Sequence, residues 1–539
     1  QLVLSPNWNV NSPPTVRHCD WILTEKVASP GGLEKRVLVV NGQSPGPLIE
    51  ANLGDTVEVR VTNHISNITA IHWHGQPQIG TNHMDGSLGI TDCGISPGTS
   101  FTYRWVVQTF GTYWWHAHSG FQYTEGLRGP MVLHSPHDPY RYGPTSTSVK
   151  DRLENNTYDS DQILIANDLY NNPAESYMPT YLSPEGYGQE MGVEPVPDCG
   201  IINGHGICKG GINEVRSNIS VFANERVRFR FINTGSLGSI RFSLQAHSMT
   251  VIEADGTLVE PHVVQSIDVD VAQRYSVLIE MNQPPGAYEF HAELLKDMFG
   301  MKKNSLVTDQ YAILRYNGVS TSTFPSKQSL APSQNKSLLV LDPDTLRPLQ
   351  AMAAPRSTEQ ETFEVSFGLT PKRIFRSFIN GTSWENEGID RKASLYDMIS
   401  SHQAQKVFQP EELIITKPDY AVWDLIINNL DEGDHALHLH GYTPFILGKG
   451  KGFYQHSLHP QWGETLDLNQ NFTNPMRRDV FVVPAYGWLV IRLVLDNPGI
   501  WAFHCHVAWH QAIGFMAQLN IQPLQTFKRS IPLENTAQC

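Results

Sequence analysis

Four copies of His-X-His constrain this chain more than any other feature. They are His72-Trp73-His74, His116-Ala117-His118, His438-Leu439-His440 and His504-Cys505-His506. The chain has 22 histidines in 539 residues, and chance placement supplies roughly one such triplet. The copies fall in two pairs, toward the two ends of the chain. In an extended strand, residues i and i+2 point to one face, so each triplet can aim two imidazoles at one place. Four converging triplets supply eight imidazoles, and a fold that joins them must bring the two ends of the chain together.

The surrounding sequence reads as strands and turns, an all-β pattern. Thr56–Val61, Val227–Phe231 and Leu489–Val494 alternate apolar and polar residues. The 42 glycines and 35 prolines punctuate such runs at short intervals, as in β-sandwiches. Ala393–Gln403 is a modest helix candidate. A weak repeat places an Asn after an alternating strand in each third: Val61-Thr62-Asn63, Phe231-Ile232-Asn233 and Ile426-Ile427-Asn428. The Ser/Thr/Pro-rich stretch from Asn317 to Arg356 reads as a linker or long surface excursion. Three units follow, at residues 1–145, 146–325 and 326–539, which suits the chain length.

The formal net charge of −14 argues against nucleic acid or an anionic membrane as partner. The most apolar stretch, Gly487–Phe503, is broken by Arg492, Asp496 and Pro498, so no membrane helix is expected. The sequence opens at Gln1 with no signal-peptide pattern and reads as a mature N-terminus. Six Asn-X-Ser/Thr sequons, at Asn67, Asn155, Asn218, Asn335, Asn380 and Asn471, fit a secreted, extracellular glycoprotein. A monomer is expected. Six cysteines, at 19, 93, 199, 208, 505 and 539, allow a few bridges in an oxidising compartment.

Two further histidines flank the triplets: His435 precedes His438 by three residues, and His510 follows Cys505 by five. Imidazole suits copper, zinc, iron and nickel, and two His with one Cys thiolate form the blue-copper arrangement. Cys505 lies between two of the eight other candidate ligands, which gives a through-bond route between two metal sites. A single zinc site needs about four ligands and would leave most of this set unused.

These segments resemble the signature segments of the multicopper oxidases, laccases in particular. The likeness rests on His72-Trp73-His74-Gly75 with Asp85-Gly86, and on Gly111–His118 followed by Gly126-Leu127-Arg128-Gly129-Pro130. His435–Gly441 and His504–His510 complete it. It spans about Val39 to Cys539 and resembles fungal, ascomycete-type members. It implies three cupredoxin-like Greek-key β-sandwich domains and four copper ions. By the family's pattern, type 1 copper takes His435, Cys505 and His510, and type 2 copper takes His72 and His438. One type 3 copper takes His74, His116 and His506, and the other His118, His440 and His504. The implied reaction is one-electron oxidation of phenols or aromatic amines, coupled to four-electron reduction of O2 to water.

The resemblance also assigns neighbours. Phe515, ten residues after Cys505, takes the axial position; with no donor atom there, a high potential is expected. Asp85 and Asp479 are the carboxylates implied near the cluster, suited to relaying protons; an Asp before Gly, as Asp85 is, equally suits a turn. Ala508 stands where iron-oxidising members often carry Glu. Leu237 falls where many fungal laccases carry an acid beside the type 1 site. Residues Thr234–Ile240 hold no carboxylate, so simple phenols are expected to be poorer donors than non-phenolic ones. The chain stops at Cys539 without the tail that plugs the oxygen channel in many ascomycete laccases. The family's pattern pairs Cys93 with Cys539; Cys19–Cys208 is the next pairing it suggests, with Cys199–Cys208 as the alternative.

Two other functions compete. A metallo-oxidase needs a carboxylate or Met cluster beside His435 or His510, and the sequence shows no clear one. A copper-binding protein without turnover does not need the full ligand set.

Overall fold

The structure, a computed structural model, describes all residues except 1, 3, 6–7, 144–155, 213–214, 319–337, 386–391, 402–407, 455–465 and 529–539. It contains three two-sheet sandwiches in chain order. The first pairs the sheet Lys35–Val40, Val16–Ala28, Thr56–Asn63, Ser100–Val106 with the sheet Ile49–Asn52, Arg128–His134, Gly111–Ala117, Ile71–His74. In Thr56–Asn63 the alternation works as read: Val57, Val59 and Val61 are fully buried, among Trp21, Trp73 and Trp115. The second sandwich sets six strands against five, between Ser160 and Tyr316. The third sets five against five, between Glu359 and Ile521.

The repeat is real, with one shift. In each sandwich the repeat strand pairs in parallel with an earlier one: Val16 with Thr56, Ser160 with Val227, Glu359 with Trp423. Each repeat strand ends in an Asn whose side chain ties the following turn. The Oδ1 of Asn63 accepts from Ile65 N, that of Asn233 from Gly235 N, and that of Asn429 from Asp431 N. Each Nδ2 donates to two carbonyls. The third copy is thus Asn429 rather than Asn428, whose side chain accepts from Tyr454 N instead.

The other two alternating strands have no solvent face. Every residue of Arg226–Asn233 is buried. Arg228 pairs with Glu253 and Asp138, and Arg230 with Asp161 and with Thr112 Oγ1 of the first sandwich. Arg492 makes the same use of Asp424 in the third. These bidentate or doubled pairs satisfy the buried cations.

The cysteines require a correction. Cys199 is bonded to Cys208, with Cα atoms 5.1 Å apart, and Cys19 is free. Ile202 and His205 close a tight turn between the two partners, which then pack with Leu169 and Ile201. Cys19 sits in Val16–Ala28 against the first core, so the expected Cys19–Cys208 bridge does not form. Cys93 is disulfide-bonded; Cys539, its expected partner, lies outside the described residues.

The helix candidate is formed over Ser394–Ser400. Leu395 and Met398 pack on Ile90 of the first sandwich and Ile500 and Met516 of the third. Asn82 straps the same seam: its Nδ2 donates to Ile500 O, and its Oδ1 accepts from Ile500 N. The seam brings the chain's two ends together. Replacing Asn233 by Ala strands one buried N–H and two carbonyls, a cost of about 3 kcal/mol. A clearly lower midpoint in denaturant unfolding is expected, and an unchanged one would show that the Asn tie is dispensable.

Candidate metal centre

The two triplets of each end lie on neighbouring antiparallel strands. His72 on Ile71–His74 faces His116 on Gly111–Ala117. His438 on His435–Leu439 faces His504 on Gly499–Cys505. His118, His440 and His506 each follow directly where their strand ends. All eight rings are buried. The structure brings together His72, His74 and His438; His74, His116 and His506; and His118, His440 and His504, with candidate ligand atoms within 4.8 Å in each group. Three of the four triplets divide their imidazoles between groups, as His116 from His118, His438 from His440 and His504 from His506, while His72 and His74 meet in one.

The tautomers explain what the cavity wants. His72 Nδ1 donates to Asp85 O, His116 Nδ1 to Ala117 O, His438 Nδ1 to Asp479 O and His504 Nδ1 to Cys505 O, at 2.8–3.0 Å. His440 Nδ1 donates to Asp85 Oδ2 (2.8 Å), and His74 Nε2 to Asp479 Oδ1 (3.1 Å). Burial, reinforced by neighbouring imidazoles, holds His74, His116, His118, His438, His440 and His506 well below the usual histidine range. A neutral ring that has given its proton to a carbonyl presents a lone pair at the other nitrogen. Those nitrogens face inward: His504 Nε2 lies 3.1 Å from His440 Nε2 and 3.4 Å from His118 Nε2. The Nε2 atoms of His72, His116 and His438, and Nδ1 of His74, are buried without a hydrogen-bond partner. Lone pairs crowded this way repel each other, and metal cations turn that repulsion into ligation. The donor set fits copper.

The second centre lies in the third sandwich. His435 Nδ1 is 3.0 Å from His510 Nδ1, and Cys505 Sγ is 3.4 Å from His510 Nδ1 and 3.9 Å from His435 Nδ1. Burial raises the Cys505 thiol, but His510 and His435 outweigh it and bring it down to about 7, toward the thiolate that binds metal. Phe515 is fully buried with its ring 5.2 Å from His435, and Phe367 lies nearly parallel to that imidazole at 5.2 Å. Neither ring offers a donor. Met516 points away, into the cluster with Ile90 and Leu395.

Leu237 is fully buried and donates its N–H to Asp168 Oδ2. It lines a cavity of about 390 Å³ with Ala436 and Val507, the neighbours of His435 and His506. The loop brings no acid there; Asp270, Glu432 and Asp434 line the same cavity, and two other carboxylates reach the histidines themselves. Glu194 Oε1 lies 2.7 Å from His510 Nε2, and Asp431 Oδ2 3.2 Å from His435 Nε2. The reading that no carboxylate stands beside these histidines is thus overturned. Asp431 had a signal, lying two residues after the repeat Asn429; Glu194 had none, because it reaches the third sandwich from the second section of the chain.

Family models described as multicopper oxidase match residues 22–138, 160–319 and 387–525. Laccase-1 of Cryptococcus neoformans var. neoformans serotype D is 34% identical, over 96% of this chain and 82% of that protein. The iron transport multicopper oxidase fetC of Epichloe festucae is 29% identical, over 100% of this chain and 81% of that one. The crystal structure of the laccase from Botrytis aclada superposes with a TM-score of 0.80 at 25% identity, covering 99% of this chain and 93% of that one. That of Fet3p, described as a multicopper oxidase that functions in iron import, gives 0.83 at 24%, covering 97% and 94%.

The Phe515 position yields a measurable consequence. In a copper-loaded Phe515→Met variant the thioether should lower the reduction potential of the thiolate site, by up to about 59 mV, or 1.4 kcal/mol for one electron. An unchanged or higher potential would show that residue 515 is not axial.

Proposed function

The chain belongs to the multicopper oxidase family, and from that premise we infer a laccase-like enzyme that takes single electrons from small aromatic donors and reduces O2 to water. The observation that carries this is the inward convergence of histidine lone pairs beside a separate His-Cys-His set. Residues 1–145, 146–325 and 326–539 serve as its three cupredoxin-like units.

His435, Cys505 and His510 would hold a type 1 copper, and His72 and His438 a type 2. His74, His116 and His506 would hold one type 3 ion, and His118, His440 and His504 the other. Copper so bound supplies one-electron acceptance at the thiolate site and O2 reduction at the three-ion site. Cys505 joins both through its own main chain to His504 and His506. Asp85 orients His72 by its carbonyl and His440 by Oδ2. Its buried Oδ1 lies 3.3 Å from His72 Nδ1, beside the cluster where a proton would be relayed. Asp479 orients His74 and His438.

Exposed sequon residues Asn67, Asn218, Asn380 and Asn471 support secretion as a glycoprotein, and a monomer is our working form; Asn155 and Asn335 lie outside the described residues. No described helix is long and apolar enough to cross a membrane. Copper loading of the Cys505→Ser variant should abolish the intense visible absorption and turnover while the cluster keeps its ions. A blue Cys505→Ser protein would sink the assignment.

A second reading, oxidation of a metal cation such as ferrous iron, is favoured by Glu194 and Asp431 on the outer nitrogens of His510 and His435. Carboxylates there attract a cation to the edge of the electron acceptor. If iron is the donor, Glu194→Gln with Asp431→Asn should lower kcat/KM for ferrous iron by more than about tenfold relative to a neutral aromatic amine. Equal losses for both donors would favour the aromatic reading.

A further inference from the structure

The second sandwich supplies no imidazole to the groups that converge between the first and third, yet it reaches them through Arg274. This residue opens the strand Arg274–Glu280 and is fully buried. Its Nη1 and Nη2 donate to Asp479 Oδ1 and Oδ2 at 2.6 and 2.7 Å, and its Nε donates to Thr112 O of the first sandwich at 3.1 Å. Its backbone N–H donates to Asp255 Oδ1 (2.7 Å), and Asp255 Oδ2 accepts from Arg478 Nε (2.7 Å). Arg478 also donates to the Tyr275 hydroxyl.

The partner of this arginine matters because of what Asp479 holds. Four of the rings are fixed by main-chain carbonyls, which cannot turn away while the strands stand. His74 is different. Its tautomer depends on a carboxylate side chain, Asp479 Oδ1, and a lone carboxylate is free to rotate about χ1 and χ2. The guanidinium fork removes that freedom by engaging both oxygens in one plane. The packing leaves no slack. A Cβ on Gly75, the residue after His74, would lie 2.9 Å from both Arg274 Nη2 and Asp479 Oδ2. Gly75 has φ of +86°, which glycine adopts without strain.

We propose that Arg274 is a positioning residue for the oxygen-reducing centre: by locking Asp479 it sets the ring of His74, with Nδ1 turned inward. The proposal rests on the copper reading of the site. It makes the second sandwich a working part of a centre whose imidazoles all come from the other two. A lysine keeps the charge but not the fork, so it should fail to replace Arg274.

The test uses the full chain loaded with copper, as Arg274→Lys and Arg274→Met. The visible thiolate band and the KM for the reductant report the His435–Cys505–His510 set and should stay unchanged. The near-UV absorption and electron paramagnetic resonance of the cluster should change, its ions should leave faster to a chelator, and kcat should fall by about tenfold or more. Wild-type cluster signals and kcat in Arg274→Lys would overturn the proposal. So would parallel loss of the thiolate band and the cluster signals, the mark of an arginine that only holds sandwiches together. If neither variant folds, Asp255→Asn weakens the hold on Arg274 more gently; it should shift the cluster signals alone, and no shift would overturn the proposal. Failure of the copper reading would appear in the unaltered protein, as no visible band on copper loading.

Discussion

The crowding of imidazole lone pairs at one seam is the constraint on which the rest of the structure depends. Rings can face one another at 3.1 Å within the third sandwich and 3.4 Å between the two ends of the chain only if each proton has already been committed elsewhere. The main chain does most of that work, since carbonyls of Asp85, Ala117, Asp479 and Cys505 each receive one Nδ1–H. Strand register then decides which nitrogen points inward. The antiparallel partners His72–His116 and His438–His504 leave little choice. In this sense the sheets are scaffolds for tautomers.

A seam of like dipoles needs attraction at its rim. The Asn82–Ile500 pair, the helix Ser394–Ser400 lodged on Ile90 and Met516, and the Asp85–His440 bond all cross between the first and third sandwiches. The second sandwich closes the triangle through charged groups as well as through apolar residues such as Ile232, Leu237 and Val271. Arg230 reaches Thr112, and Arg274 reaches Asp479. Each is a buried cation with a carboxylate in bidentate or doubled contact, the arrangement in which burial of charge is tolerated.

Much of this was legible in the sequence, and the limits have physical causes. His-X-His spacing, alternating strands and the repeat asparagines are local patterns, governed by period-two geometry and by turns. The departures have separate causes. The alternation at Arg228, Arg230 and Arg492 does not mark a solvent face, because Glu253, Asp161 and Asp424 on other strands of the same sandwiches pair with these buried cations. The repeat slipped by one because Asn428 and Asn429 are adjacent, and only the turn bonds separate them. Cys19 and Cys208 were paired by resemblance, while the chain's own turn had already brought Cys199 to Cys208. Glu194, Phe367 and Arg274 come from segments remote from every histidine motif, so no spacing announces them.

The thiolate site combines two demands that pull apart. Phe515 and Phe367 surround His435 with groups that cannot donate to a cation, which disfavours the oxidised, more highly charged state of a bound metal. Glu194 and Asp431 place negative charge on the far nitrogens of both histidines, which makes those rings better donors and favours that same state. The geometry separates the two effects in space. The aromatic rings pack against the His435 imidazole, while the carboxylates bond the outer Nε2 atoms of His510 and His435. Leu237 stands apart from both carboxylates, in the wall of a cavity that it shares with Ala436 and Val507.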